Sequence, residues 1–377
     1  MYRILIPLVW LATCAVTPET WADNITVKRG AETVQLVGEI IVEAQDGGIL
    51  FRASDGRLWR ILPEEIVSKT DDDEPVQPAT AKEVADALLQ ELPTGFRIYE
   101  TQHFLVAYQS NKTYARWVGG LYEKLYKGFD KFWIKDSKLD LDKPRYPLIA
   151  IIFDTKAEYS RYVIRELGTD PGMVAYYNLE TNRVAMFDLT GSFRPAGVAR
   201  DNRKVHHILN TPAAIPMVAT IIHEGTHQLI FNRGMQTRFA DTPFWLNEGL
   251  AMFFETPDLR QSAGWKGVGK INPLRYPRLV QGFSSRKGDS LTELICSEDK
   301  FNNPETSLDA YSESWALVYF LLKKYPREFV QYIELLSSRK ELVEVSAEQR
   351  LADFQRFFGE DLGMLDREFV EYMRRAR

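Results

Sequence analysis

Two cysteines in 377 residues, Cys14 and Cys296, cannot supply a disulfide framework, so stability must come from the core. No uncharged apolar run reaches the roughly 18 residues a membrane-spanning helix needs, so no such helix is expected. Eighteen prolines and 23 glycines are near average, which excludes collagen-like and low-complexity chains. Basic charge is not in excess either: 47 Lys and Arg face 52 Asp and Glu, a net charge of -5. That balance excludes a broadly basic nucleic-acid binder, and no nucleic-acid partner is expected. What is present, 45% hydrophobic and 26% charged residues, is the make-up of an ordinary soluble globular protein. At ~100–200 residues per domain, the length suggests two domains, with one or three still open.

The first 22 residues have the form of an address. Arg3 is followed by the charge-free, mostly apolar stretch Ile4 to Val16, and Thr20-Trp21-Ala22 loosely fits a cleavage site. A signal peptide over 1–22 implies export to a bacterial periplasm or beyond. The competing reading is a buried N-terminal strand or helix. Cys14, after Leu11-Ala12-Thr13, weakly resembles a lipoprotein box and makes it a candidate lipid anchor. Removal of 1–22 would leave Cys296 as the one cysteine.

From 23 to 70 the chain alternates over short stretches, with hairpin signals at Asp46-Gly47 and Asp55-Gly56, where glycine accepts positive φ. Val34 to Val42 reads as a strand pair or one bulged strand. The expectation is a small antiparallel β module, barrel-like or meandering. Residues 71–94 read as an acidic, proline-containing linker (Asp71-Asp72-Asp73-Glu74) with a short helix from Ala81 to Leu92. Beyond it, strands are expected at Arg97–Tyr108 and Leu148–Phe153, and a hairpin at Val174–Tyr177 with Arg183–Phe187. Helices are expected at Tyr114–Trp133 and Ala213–Phe231, then in most of the chain after Leu246. Thr211 is the expected cap of the Ala213–Phe231 helix. A strand-rich part followed by a helical part is an α+β pattern. The basic-aromatic stretch from Tyr122 to Lys143 has helical spacing and reads as a half-buried helix face.

The chemistry concentrates at His223-Glu224-Gly225-Thr226-His227, an H-E-x-x-H sequence inside the strongest helix. Residues four apart on a helix lie about 6 Å apart along the axis on one face, so two imidazoles can share one zinc ion. Glu224 can then project beside the metal and take a proton from water. Two hydrogen-bonded histidines on a packed helix would show the same spacing. However, the run Ile215 to Phe231 is strongly apolar, and burying an imidazole without a partner is costly.

A catalytic zinc ion usually takes three protein ligands. Trp245-Leu246-Asn247-Glu248-Gly249-Leu250-Ala251 follows downstream. Together, His223-Glu224-x-x-His227 and Asn247-Glu248-Gly249 resemble the gluzincin zinc metallopeptidases, the thermolysin and peptidase-MA-like group. Trp245 to Ala251 is especially similar to the W-L-N-E-G-x-A segment of the zinc aminopeptidases. The resemblance implies a zincin-like domain over 95–377, one zinc ion held by His223, His227 and Glu248, and Glu224 as general base. It implies Glu255 as a carboxylate orienting a histidine ligand, and Tyr311 as donor to the oxyanion. Asn247 is expected to be structural, and His206 and His207 are runners-up to Tyr311. The aminopeptidase G-x-M-E-N signature is absent; Gly172 to Tyr176 is the nearest segment and could be an edge strand along which a peptide lies. Met252 stands where thermolysin-type enzymes carry an acidic residue.

The resulting expectation is an exported zinc endopeptidase acting on a peptide or protein substrate. Two rivals remain: a non-catalytic binding protein on the same scaffold, and a zinc amidase acting on a non-protein amide. The segment from Ser192 to Arg203 reads as a lid or a polar crossover.

Overall fold

The computed structural model describes residues 21–193, 205–209, 211–256 and 268–376. The signal-peptide and lipid-anchor expectations therefore fall largely outside the described residues, as does most of the 192–203 loop. Trp21 and Ala22 are described, as the first residues of a strand. The chain divides into two units. One holds residues up to Ser54 with Trp59–Pro78; the other holds Asp55–Leu58 and Ala79–Arg377.

The smaller unit is a five-stranded antiparallel sheet of β1 (Trp21–Arg29), β2 (Glu32–Glu43), β3 (Ile49–Ala53), β4 (Leu58–Ile61) and β5 (Ile66–Pro75), ordered β4-β3-β2-β1-β5. Gly47 and Gly56 adopt positive φ in the two turns marked by Asp-Gly pairs. β2 is one strand, irregular between Ile40 and Val42, and not a pair. Its core is Ile25, Val27, Leu36, Ile49, Phe51, Ala53 and Ile61. The order, with β4 and β5 at the edges among the described residues, is that of the meandering alternative, β5 adding beside β1. One expectation is corrected here. The acidic run Asp71–Glu74 falls within a strand and not a linker: β5 pairs with β1 from Val27↔Ile66 to Asp23↔Asp71 and, past a register shift, again at Trp21↔Pro75. Pairing uses backbone groups, and an edge strand tolerates charge that a central one would reject.

The larger unit is built on a mixed sheet of β6 (Arg97–Glu100), β7 (Phe104–Tyr108), β8 (Leu148–Phe153), β9 (Ala175–Asn178) and β10 (Arg183–Phe187), ordered β6-β7-β8-β10-β9. β7, β8 and β10 run parallel; β6 and β9 are antiparallel edges. The expected strand 97–108 is split because Thr101 and Phe104 close a tight turn through Thr101 N–H to Phe104 O (2.9 Å). Helix α1 (Ala81–Glu91) packs on β7 through Val84 and Leu88, so it belongs to this unit and not to a linker. Helix α2 (Lys112–Asp130) passes into a π-helical turn at Lys131–Asp136. Its aromatics Tyr122, Tyr126 and Phe129 are buried, while Lys124 and Lys127 point to solvent. α3 (Lys156–Leu167) packs on β8 and β10, and the short α4 (Val205–Leu209) precedes the central helix.

That helix, α5 (Ile215–Asn232), lies against β9 and β10. Its cap is Ala214, not Thr211, whose hydroxyl is engaged with Ile208 O. α6 (Phe244–Phe254) packs on α5. The remainder is helical: α7 (Tyr276–Gly282), α8 (Ser290–Cys296), α9 (Asp299–Asn302), α10 (Ser307–Lys324), α11 (Pro326–Ser337), α12 (Ala347–Phe358) and α13 (Leu362–Arg375). The chain is thus α+β, with an N-terminal antiparallel sheet and a mostly helical C-terminal half.

Two glycines set how closely the central helices approach. A Cβ on Gly249 of α6 would stand 2.6 Å from Ser314 O and from a Val318 methyl on α10. A Cβ on Gly225 of α5 would stand 2.7 Å from the Tyr122 ring. In contrast, a Cβ on Gly120, exposed on α2, would meet nothing within 4 Å. Thermal unfolding should separate the two cases: Gly249→Ala destabilises by about 1–3 kcal/mol through overpacking, and Gly120→Ala stabilises by about 0.5–1 kcal/mol through helix propensity. Equal melting temperatures for the two variants would contradict the tight α6–α10 contact.

Candidate metal centre

α5 carries His223, Glu224 and His227, and α6 carries Asn247 and Glu248. The ionisable residues of both helices meet in one place, while Gln228 and Asn232 of α5 bond the sheet side instead. The Nε2 atoms of His223 and His227 are 3.1 Å apart. Glu248 Oε2 lies 3.1 Å from His223 Nε2, and Glu248 Oε1 3.5 Å from His227 Nε2. Ligand atoms from all three residues lie within 4.8 Å of one another. Two ligands about 2.0–2.1 Å from one ion at the tetrahedral angle would be about 3.3–3.4 Å apart, close to what is seen.

The outer ring nitrogens are also engaged. His223 Nδ1 is 3.0 Å from Glu255 Oε2, and His227 Nδ1 is 3.1 Å from Asn247 Oδ1. Both partners are acceptors, so each Nδ1 carries a hydrogen and each Nε2 is turned to the shared point. Of the two alternative acidic positions, Glu255 and not residue 252 makes this contact. Asn247, expected to be structural, holds the second histidine. Glu224 stands beside the cluster and accepts a hydrogen bond from Tyr177 N–H (2.7 Å), on the edge strand β9.

Position gives the titratable groups unlike properties. Burial pushes the Glu224 carboxyl up, His223 opposes, Glu248 adds to the rise, and the result is about 7. Burial takes His227 down to about 4. For His223, burial works against the imidazolium, but bonds to Glu248 and Glu255 outweigh it and hold it up at about 10. Burial would raise Glu248 and Glu255 as well, yet the neighbouring histidines, and Arg275 at Glu255, keep both below the usual glutamate value.

Tyr311 lies on α10, half-buried, packed edge-on against Phe244 and Phe301. Burial raises its phenol pKa, and the charges of Glu248 and then Glu224 raise it further, so it stands within electrostatic reach of the cluster. The side chains of His206 and His207 lie outside the described residues. Asn272 and Arg275, before α7, were not anticipated: they bind Glu255 Oε1 at 2.7 and 3.1 Å. Nothing in their spacing marks them, since they meet Glu255 through a turn and not a helical period.

Residues 217–343 match a family model. Its description is "Protein of unknown function (DUF1570)". The matched segment spans most of α5, all of α6 and α10, and so includes His223, Glu224, His227, Glu248 and Tyr311. A comparison with curated proteins found no match.

A cation held at this point would compete with a proton for His223 Nε2. Because the His223 pKa is raised to about 10, a proton must leave on metal binding at neutral pH. Zinc affinity, measured by competition with a chelator, should therefore rise about tenfold per pH unit between pH 6 and 9 and level off toward 10. An affinity independent of pH over that range would contradict the shared-site geometry.

Proposed function

We propose that the chain is a zinc-dependent hydrolase of peptide bonds, with a zincin-like fold around α5 and α6. The observation that carries this reading is the pair of Nε2 atoms aimed, with Glu248, at one point, each ring fixed from behind by an acceptor. The donor set, two imidazoles and a carboxylate, fits zinc with room for a further ligand. His223, His227 and Glu248 would hold the ion, which when bound lowers the pKa of water toward ~7 and polarises a carbonyl.

The protein's own groups supply the rest. Glu224, poised near neutrality and steadied by Tyr177 N–H, takes a proton from the attacking water and returns it to the departing amine. Tyr311, protonated at any physiological pH, donates to the carbonyl oxygen as charge develops. β9 is a sheet edge whose outer side faces Glu224, and an extended peptide can add to such an edge. The absence of a free-amine signature favours internal cleavage. The signal-like segment 1–22 adds export to the reading.

Glu224→Gln should retain zinc at full occupancy and lose about 10²–10⁴-fold in peptide turnover. Tyr311→Phe should lose about 10²–10³-fold in kcat with zinc unchanged. A peptide-library digest by the purified chain reads both. Wild-type turnover by Glu224→Gln would refute the assigned base.

A further inference from the structure

We propose that Arg275 is a positioning residue of the metal centre, linking His223, through Glu255, to the phenol of Tyr311. This rests on the reading of His223 as a metal ligand. Glu255 is only 2% exposed and caps the C-terminus of α6, its N–H on Ala251 O, so its side chain is placed by the partners of its two oxygens. Its two oxygens are divided. Oε2 takes His223 Nδ1 at 3.0 Å, while Oε1 takes Arg275 Nε at 3.1 Å and Asn272 Nδ2 at 2.7 Å. Which way the His223 ring points therefore depends on what holds the far oxygen.

Asn272 is wholly buried and ties the turn in place. Its Nδ2 also reaches Met252 O at 3.3 Å, and its Oδ1 accepts Leu274 N–H at 2.9 Å. The turn thus fastens the end of α6 to the start of α7. Arg275 then reaches the other way: its guanidinium lies 5.9 Å from the centre of the Tyr311 ring. The same face of α7 is pinned to the first turn of α10 by Arg278 on Asp309 Oδ1 at 2.6 Å. One guanidinium therefore touches both the carboxylate that aims a ligand and the ring that bears the proposed oxyanion donor.

A flat guanidinium can do both at once, through a directed N–H to the carboxylate and a face to the ring. Without it, Glu255 Oε1 keeps Asn272 alone, the buried carboxylate loses one of its two cationic neighbours, and Tyr311 loses a neighbour on one side. An ammonium can replace the charge at Glu255 but cannot present a plane to the ring. The two halves of the role are thereby separable.

The test uses the full chain with Arg275→Met, Arg275→Lys and wild type. Zinc affinity is read by chelator competition, ligand geometry by the visible spectrum of the cobalt-substituted protein, and kcat and KM by peptide cleavage. Arg275→Met should bind zinc about 10–100-fold more weakly, with a shifted cobalt spectrum and an intact circular dichroism spectrum. Arg275→Lys should recover zinc affinity and the cobalt spectrum but not kcat, with KM little changed. Full zinc affinity in Arg275→Met, or full kcat in Arg275→Lys, would overturn the proposal. A wild type that binds zinc yet cleaves no peptide bond would refute the assigned reaction and leave the His223–Glu255–Arg275 arm standing or falling on the affinity data. Failure of the wild type to bind zinc would remove the underlying reading, and the proposal with it.

Discussion

Five ionisable side chains, three of them carboxylates, share one buried spot between α5 and α6, and the arrangement persists only because each has a partner. An isolated buried charge costs several kcal/mol, an amount comparable to the whole stability of a domain. The two helices pay that cost locally: imidazole faces carboxylate on the inner side, while Glu255 and Asn247 close the outer side. Most of the rest of these helices is apolar packing that holds the two faces at a fixed distance, while Gln228 and Asn232 tie α5 to Ile149 and Asn182 of the sheet side. Gly249 and Gly225 matter for this reason. They let α10 and Tyr122 come close enough to lock α6 and α5, and with them the side chains one position earlier, Glu248 and Glu224.

The same packing gives three glutamates three characters. Glu248 and Glu255 bond the histidines, and Glu255 also Arg275, which holds both below the usual glutamate value; at Glu224 burial, with Glu248 and Glu255 adding to it, outweighs His223 and the Tyr177 N–H, and the carboxyl moves to about 7. Chemically identical groups are thus sorted into holders and a proton carrier by what surrounds them. The mixed sheet contributes an edge. Among the described residues β9 is the edge beside β10, and its Tyr177 N–H points to Glu224.

Much of this could be read from the residues alone, and the exceptions follow a rule. The spacing of His223 and His227 is a helical period, and helical periods survive folding, so their shared face was legible. Glu248 and Glu255 were legible through resemblance, because the second helix carries a recognisable run around them. Asn247 was expected beside the ligands, but its partner, His227, depends on the angle at which α6 crosses α5, which no local pattern encodes. Asn272 and Arg275 reach Glu255 through a turn, and a turn has no period. The acidic stretch Asp71–Glu74 misled in the opposite sense. Its composition argues for solvent, while pairing with β1 on either side of it, at Asp71 and again at Pro75, carries the strand through, which composition does not report.

The central claim is that two imidazoles from α5 and one carboxylate from α6 close on a single divalent cation. X-ray absorption at the zinc edge on the purified, zinc-loaded chain tests it most directly. The account predicts one ion per chain, with the multiple scattering of two imidazoles and first-shell nitrogen and oxygen at about 2.0–2.1 Å. An absence of bound zinc, or a shell dominated by sulfur at about 2.3 Å, would contradict it.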